Sequence, residues 1–520
     1  MKNLFYGTPQ LMKFLFRKER IAMAIWLAVI SVLCLFVAVA FGSVNAGTDM
    51  AALWDNPAVV AMLGPLFGEI GTNTIYAASM ILTLVIIVAI MNIFFVIRNT
   101  RAEEEKSLGE VVRSLPVGRL ANLAAVMAFA ALTNIAIAVL LTIVLCGFYG
   151  FASAAVFGFA VAFGGFVFAG IAAVLANLSA SNGSAIGMSI GAVLVFYMLR
   201  AIGDVSAEVL SFFSPIGLAA RTQPMAENIV WPLFVLLALA AAFTAVAFYL
   251  NSIRDFGRGI FNAKAGRREG SFLMQTPAGV LFKLTRRGLL FWAIGLFMLG
   301  ASYGVVMGET ESFLEMIQGI MPNITDVRMF IVMITMISSV IAVIPALMAI
   351  LRLGGEEKSG RYEQIFAGSV CKYRMMATHL AYAVTQAFVM TFVAMFGLWA
   401  TSAAVMDNPI SFGEMFGAFM VYLPASLVMI GLAALLVSVV PKRAGLITYS
   451  YIGLSFFVLY LGPMADLPKA ASYITPFGFI PQIPVDTVNP WTLAALTAVA
   501  ALLMTGSFFM YRRRDLKFAA

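Results

Sequence analysis

Two acidic loops hold the side chains whose types and spacing could support a function. The first loop, residues 100–119, contains EEEKSLGEVVRSLPVGR, and the second loop, residues 353–374, contains EEKSGRYEQIFAGSVCK. A short amphipathic helix with exposed acids, held between two apolar segments, is suited to docking in a groove of another protein. We therefore treat the two loops as candidate docking sites.

Apolar residues of the first loop predict such a helix. They recur at i, i+3, i+4 and i+7, which places them on one helical face, and Pro116 ends the pattern. An anionic inner leaflet would repel Glu103, Glu104 and Glu105, so docking to a protein is favoured over resting on the membrane surface. The apolar stripes are Leu108, Val111, Val112 and Leu115 in the first loop and Tyr362, Ile365, Phe366 and Val370 in the second.

Outside these loops, the sequence contains no recognisable enzyme site. It has no G-x-x-x-x-G-K-[ST] motif, no H-E-x-x-H motif and no Ser, His and Asp arrangement. Its three cysteines, Cys34, Cys146 and Cys371, form no C-x-x-C pair, so we predict no disulfide framework and no cysteine-based metal site. The single histidine, His379, is expected to be an interfacial helix residue and not a proton switch. The chain is predicted to be no enzyme and to bind no cofactor or metal of its own.

The elements that must position the loops are membrane helices. Of 520 residues, 62% are hydrophobic and 11% are charged, and the mean hydropathy is +0.97. Too little polar surface is available for a water-soluble globule, whereas a bilayer crossing takes roughly 20 apolar helical residues. We predict an all-α polytopic membrane protein with about 12 transmembrane helices. The predicted spans are 21–43, 75–97, 120–146, 153–177, 184–201, 230–250, 288–306, 328–351, 376–400, 413–439, 444–463 and 491–511.

Charge predicts the orientation of these spans. With the N-terminus in the cytoplasm, 29 of the 33 Lys and Arg residues fall on the cytoplasmic side. The exceptions are Arg200, Arg221, Arg328 and Lys469. This positive-inside bias predicts that both termini and both acidic loops are cytoplasmic. The net charge of +8 is therefore a topology signal, and no nucleic-acid partner is expected because the cations do not gather on one soluble face.

The chain reads as a duplicated six-span unit. An offset of 253 residues aligns Glu103 with Glu356, Glu104 with Glu357, Glu110 with Glu363 and Arg119 with Lys372. We predict a first repeat at 1–255, a cytoplasmic linker at 256–275 and a second repeat at 276–520, arranged as parallel repeats. Each repeat opens with Thr-Pro, at residues 8–9 and 276–277, and each opening predicts a basic interfacial helix before the first span.

No predicted span centre carries an Asp, Glu, Lys or Arg residue. An ion-coupled carrier normally keeps such residues inside its spans, since they take up the proton or cation. If the protein transports, its energy is therefore expected to come from another subunit through the acidic loops.

The order of basic helix, two spans, acidic loop and four spans, present twice, resembles the fused twelve-span type-2 ABC exporter permeases of the polyketide-antibiotic or tetronasin exporter kind. In the second loop Ser369, Cys371 and Lys372 replace Pro116, Gly118 and Arg119, so the two loops are not equivalent. The resemblance implies coupling residues at Glu103, Glu104, Glu105, Gly109, Glu110, Arg113, Pro116, Arg119, Glu356, Glu357, Gly360, Arg361, Glu363 and Lys372.

By the same resemblance, this chain would be a permease of the bacterial plasma membrane that exports hydrophobic, drug-like or antibiotic-like compounds. Its implied partners are two copies of an ATP-binding cassette subunit, which would bind ATP and Mg²⁺. The rival interpretation is a twelve-span secondary carrier of the major facilitator type. Such a carrier should have a G-x-x-x-D-like motif after span 2 and charged residues within its spans, and this sequence has neither. A membrane scaffold without transport activity is a further alternative.

Overall fold

The protein is mostly α-helical in a computed structural model. The structure describes residues 4–43, 54, 57–105, 114–255, 257, 259–260, 272–307, 327–358, 360–362, 370–406, 409–462, 468–481, 483 and 489–514. Within these ranges there is no β-strand, and eleven helices are long and apolar enough to cross a membrane. The prediction of an all-α polytopic membrane protein is thus confirmed.

The chain divides into two compact units, Met1–Gly266 and Arg267–Ala520. In the first unit, the most apolar surfaces of the long helices pack together around α3 and α6. Its helices are α1 (Thr8–Ser43), α2 (Pro57–Leu63), α3 (Thr72–Arg98), α4 (Arg101–Glu105), α5 (Ala121–Tyr149), α6 (Phe151–Leu178), α7 (Asn182–Val205), α8 (Glu208–Phe212), α9 (Pro215–Ala220) and α10 (Trp231–Ile253).

The second unit repeats this order of long helices with shorter and more broken segments. Its two apolar cores are built largely from the spans on either side of the second acidic loop. Its helices are α11 (Pro277–Val306), α12 (Val327–Ala342), α13 (Ile344–Lys358), α14 (Lys372–Val405), α15 (Phe412–Met420), α16 (Leu423–Val439), α17 (Ala444–Phe456) and α18 (Pro490–Arg513).

The basic interfacial helix predicted before the first span of each repeat is not a separate element. α1 runs unbroken from Thr8 to Ser43, and α11 likewise begins at Pro277 and continues to Val306. Residues 10–41 contain neither proline nor glycine, so nothing in that sequence interrupts the backbone hydrogen bonds. Thr276 caps its helix, because its Oγ1 accepts from the amide of Gly279 at 3.1 Å, whereas the Thr8 hydroxyl donates to the Phe5 carbonyl.

The predicted span at 444–463 is the least regular. An apolar helix does run from Ala444 to Tyr460, but it is shorter than the eleven spanning helices, and from Phe457 to Leu461 its hydrogen bonding widens into a π-turn. The segments before the last span of each unit contain short helices. These are α8 and α9 in the first unit and two 3₁₀ turns, Lys469–Ile474 and Pro476–Phe479, in the second.

A pair of amides joins three spans of the first unit. The Asn92 side chain on α3 and the Asn134 side chain on α5 exchange hydrogen bonds of 3.1 and 2.9 Å. Asn92 also donates to the carbonyl of Gly165 on α6 at 3.0 Å, and Asn134 donates to Ala130 at 2.7 Å. Because both amides are buried in an apolar core, these mutual bonds replace the water that neither can reach.

Candidate functional site

The central acid of the first loop, Glu104, faces the interior of its own unit. It lies on α4, the short helix that continues from α3 toward the loop. Its two carboxylate oxygens contact the two terminal nitrogens of Arg254, one of them at 2.8 Å, and Arg101 adds a third bond at 2.9 Å. The Glu104 side chain is only 10% exposed, and the side chain of Arg254 is 6% exposed. Glu104 is therefore a buried, bidentate ion-pair partner and not an exposed acid.

Arg254 ends the last span of this unit, and its main chain is held as well. Its amide donates to the Leu250 carbonyl of α10, and its carbonyl accepts a hydrogen bond of 2.7 Å from Arg119. Arg101 extends the same cluster by donating to the carbonyls of Ala180 at 2.7 Å and Gly257 at 3.2 Å. The two ends of the first loop thus converge on the end of α10.

The other two acids of this segment have different partners. Glu103 contacts the Lys18 ammonium, which also donates to the Asn99 side chain at 2.8 Å. This contact joins the loop to α1. Glu105 is exposed, and its carboxylate accepts from the backbone amide of Asn182 at the start of α7, at 3.0 Å. Of the three acids, only Glu105 has the exposure expected for docking.

The second loop reproduces the main contact of the first. Glu357, near the end of α13, contacts Arg514 just beyond α18, and the Tyr511 hydroxyl donates to the same carboxylate. Lys372 then donates to the carbonyl of Arg514 at 3.1 Å, as Arg119 does to Arg254. The Glu357 side chain is 7% exposed. An acid, a terminal arginine and a basic residue at the next span are thus joined in both units.

The remaining described residues of the second loop form a local cluster. Glu356 accepts from Arg352, one turn earlier on α13, at 3.1 Å, and from Arg361. Gly360 lies between them with a φ of +71°, a left-handed conformation in which glycine is favoured because it has no Cβ. The chain reverses there, which brings Arg361 back to Glu356. Unlike Glu103, Glu356 does not reach the first helix of its unit through the ion pairs described here.

Several sequence expectations are corrected by these contacts. Glu104, Glu356 and Glu357 were expected to be exposed, but each meets cations of its own unit, because a carboxylate at the end of a span gains more from a nearby guanidinium than from partial hydration. Pro116 and Arg119 are exposed. The predicted site residues Gly109, Glu110, Arg113 and Glu363 lie outside the described residues. So do three of the four residues of the first apolar stripe and two of the four of the second.

Sequence reasoning missed the arginines that organise the site. Arg254 and Arg514 follow the last span of the two units at matching positions, each before an aspartate, and this recurrence was the signal that could have identified them. In the sequence, both arginines count only toward the positive-inside bias. Hydropathy and charge counts describe where a cation lies across the membrane, and they do not describe which carboxylate it meets.

His379 lies inside the second unit and not on its surface. It is 1% exposed inside the second unit, where its Nδ1 lies 2.7 Å from the Ala349 carbonyl and its Nε2 lies 2.8 Å from the Tyr362 hydroxyl. Burial raises the pKa of Tyr362, and the neighbouring carboxylate of Glu356 adds to this rise. The phenol therefore remains protonated near neutral pH, and the pair fixes the start of α14 against α13.

A second ionic cluster lies at the opposite end of the first unit. Arg200 near the end of α7 is fully buried, with Asp204 at 3.3 Å and the carbonyls of Val60 and Met62 at 3.4 and 3.3 Å. Arg221 contacts Asp204 and Glu208 from the segment after α9. This cluster lies at helix ends, and the centres of the described spans contain no Asp, Glu, Lys or Arg residue. No group of three or more potential metal ligands occurs in the part of the chain that the structure describes.

Comparison with known proteins gives one family and one relative. The sequence model of the family described as multidrug efflux system permease Rv1217c, C-terminal domain, matches residues 11–250 and 274–512. The multidrug efflux system permease protein Rv1217c of Mycobacterium tuberculosis is 30% identical over 542 residues, an alignment that covers 99% of this chain and 96% of the relative. Each matched stretch contains one acidic loop and stops just before the terminal arginine that contacts it.

Proposed function

The chain belongs to the family of the multidrug efflux system permease Rv1217c, and from this membership we propose that it is the membrane-spanning subunit of an ATP-driven ABC exporter. Its proposed substrates are hydrophobic or amphipathic, drug-like compounds that leave the cell. The narrower resemblance to tetronasin exporters stays a prediction. The proposal places the protein in the bacterial plasma membrane with both termini in the cytoplasm.

The observation that carries the ATP-driven part is the pair of acidic loops. Each loop lies at the same end of its unit and is held there by ion pairs to the end of the last span. A loop fixed in this way is suited to receive force from a docked protein, because it cannot shift without disturbing charge-assisted bonds. The two loops are proposed to dock two copies of an ATP-binding cassette subunit, which supplies the ATP and Mg²⁺ site.

The distribution of charge weighs against the rival secondary carrier. In the described spans, ionisable residues gather at helix ends, as Glu104 and Glu357 do at one end and Arg200 does at the other. A proton or cation carrier needs such groups along the pathway, where they bind and release the ion. Described span centres without Asp, Glu, Lys or Arg fit a permease whose energy arrives from outside the membrane.

The decisive experiment is reconstitution of the chain with its ATPase partner in liposomes. Export of a hydrophobic drug should require Mg-ATP, should stop when the catalytic glutamate of the ATPase is replaced, and should change little when an uncoupler dissipates the proton gradient. Drug movement driven by a gradient in liposomes without nucleotide would replace this proposal with the secondary-carrier interpretation.

The composition of the complex provides a separate test. Because one chain carries two loops with the same principal contact, we expect one permease to bind two ATPase subunits. Native mass spectrometry of the detergent-solubilised complex should give a 1:2 ratio. A 2:2 complex would contradict the proposal that the two units are repeats which each dock one ATPase.

A further inference from the structure

We propose that Arg254 and Arg514 are positioning residues that join each acidic loop to the last span of its own unit, so that a displaced loop moves that span. The inference rests on the proposed function, since it requires an ATPase that moves the loops. It adds a step that docking alone does not supply, namely the route by which movement passes from a loop into the membrane-spanning part.

The first argument is that each arginine is held in two ways. The guanidinium of Arg254 pairs with both oxygens of Glu104, while its carbonyl accepts from Arg119, at the far end of the same loop. Its amide remains bonded to α10. The loop thus contacts the end of α10 through the side chain and the main chain of Arg254. Neither end of the loop can move away without breaking one of these contacts.

The second argument is burial. Glu104 and Arg254 are both largely removed from water, and a charge in such a site that loses its partner is left uncompensated. A surface pair could open and be replaced by water during each transport cycle. A buried pair stays closed, so the loop and the helix end are expected to move as one body.

The third argument is that the arrangement occurs twice. Glu357, Arg514 and Lys372 make the same three-way contact in the second unit, at the end of α18. The details differ, because Tyr511 also donates to Glu357 and lysine replaces arginine at the third position. Two different sets of residues thus make the same contacts. This indicates that the link between the loop and the last span is required, and not one particular packing of side chains.

The test is a charge-swap experiment on the complete transporter in liposomes. Glu104→Arg and Arg254→Glu are made singly and together, and drug exported is measured against ATP hydrolysed. Each single reversal should lower the ratio of drug to ATP by roughly tenfold. The double swap should restore part of it, because the pair is re-formed with opposite polarity while Arg101 keeps a like charge beside position 104. Glu357→Arg and Arg514→Glu should behave in the same manner.

The swap separates this inference from direct docking. If Glu104 itself bound the ATPase, the double swap would present a reversed charge to the partner and would not restore the ratio, and that result would overturn the inference. Single reversals with an unchanged ratio would overturn it as well. If the reversed variants fold poorly, Glu104→Gln, which preserves shape and removes the charge, should still lower the ratio.

The control is Glu19 with Arg98, an ion pair at the same end of the first unit that joins α1 to α3, in which Glu19 is buried and the Arg98 side chain is 51% exposed. Reversing the charges of this pair tests the loss of an ion pair that does not involve the last span. The reversal should lower thermal stability, while the drug-to-ATP ratio stays within twofold of that of the unmodified protein. If reversal of Glu19 and Arg98 lowers the drug-to-ATP ratio as far as Arg254→Glu does, the contacts of Arg254 and Arg514 have only a general structural role. Failure of the unmodified complex to export with Mg-ATP would instead defeat the proposed function.

Discussion

Glu357 on α13 contacts Arg514 beyond the end of α18, although 157 residues separate them in the chain. Glu104 and Arg254 are related in the same manner across 150 residues. In each unit the second and last spans are therefore joined at one end by an ion pair whose carboxylate is 10% exposed or less. The acids that looked like contacts for another protein first serve to fix the geometry of the loop that carries them.

Removing the charge of Glu357 should destabilise the protein more than removing that of Glu356. Glu357→Gln leaves Arg514, whose side chain is 19% exposed, without its carboxylate, at a cost of about 2 kcal/mol. Glu356→Gln weakens contacts to Arg352 and Arg361, which are partly or largely exposed, and this should cost about 1 kcal/mol or less. Thermal unfolding of each variant in detergent measures the difference, and equal losses would contradict the assigned burial.

The two loops should respond unequally to loss of their first acid. Glu103 joins its loop to α1 through Lys18, whereas Glu356 pairs with arginines of its own segment. Glu103→Gln should therefore reduce drug-stimulated ATP hydrolysis more than Glu356→Gln does. Lys18→Gln is the matched partner variant and should reproduce the effect of Glu103→Gln. If Lys18→Gln leaves ATP hydrolysis unchanged, the contact with α1 has no part in coupling.

Substituting either amide of the Asn92 and Asn134 pair should loosen the first unit. Asn92→Ala and Asn134→Ala should each cost about 1 kcal/mol, the size found for buried polar contacts between membrane helices. The double substitution should cost clearly less than the two single losses together, since both remove the same exchanged bonds. A double-mutant cycle by thermal unfolding measures this, and strict additivity would argue against the pair.

Gly217 and Gly478 should not tolerate a side chain. They occupy matching positions in the two units, and a Cβ on either would overlap the main-chain carbonyl of the residue six positions earlier, Ser211 or Ser472. Gly217→Ala and Gly478→Ala should each lower the midpoint of thermal unfolding. The control is Gly187→Ala on α7, where a Cβ meets no neighbour within 4 Å and alanine should be neutral or stabilising by about 0.5–1 kcal/mol.

Tyr362 should affect stability and leave transport insensitive to pH near neutrality. Because burial raises its pKa above the ordinary value of about 10, the phenol keeps its proton and its bond to His379 at neutral pH. The contribution of Tyr362 to stability should be constant below about pH 10 and should fall as the pH rises above that value, since the phenol of the unfolded chain ionises first. Tyr362→Phe should lower stability by about 1–3 kcal/mol by leaving the imidazole nitrogen unpaired. A shift in the pH profile of transport between pH 6 and 8 would contradict this assignment.

The sequence determined the class of protein and the positions of its main elements. Apolar runs, cation placement and the repeated acidic loops require only local composition, because a bilayer selects for length and hydropathy along each segment. Thus the spans near Asn92, Asn134 and Gln386 were placed correctly without knowledge of their neighbours. The alignment of Glu104 with Glu357 and of Arg119 with Lys372 also identified residues that make corresponding contacts in the two units.

Tertiary structure alone decided which way the charged and polar side chains face. Whether Glu104 meets water, another protein or Arg254 depends on how α4 and α10 pack, and no local pattern encodes a contact across 150 residues. The same holds for His379, which packing places between Tyr362 and Ala349. Hydropathy fixes how deep a residue lies in the membrane, whereas the ion pairs depend on the rotation and packing of whole helices, which only the folded chain sets.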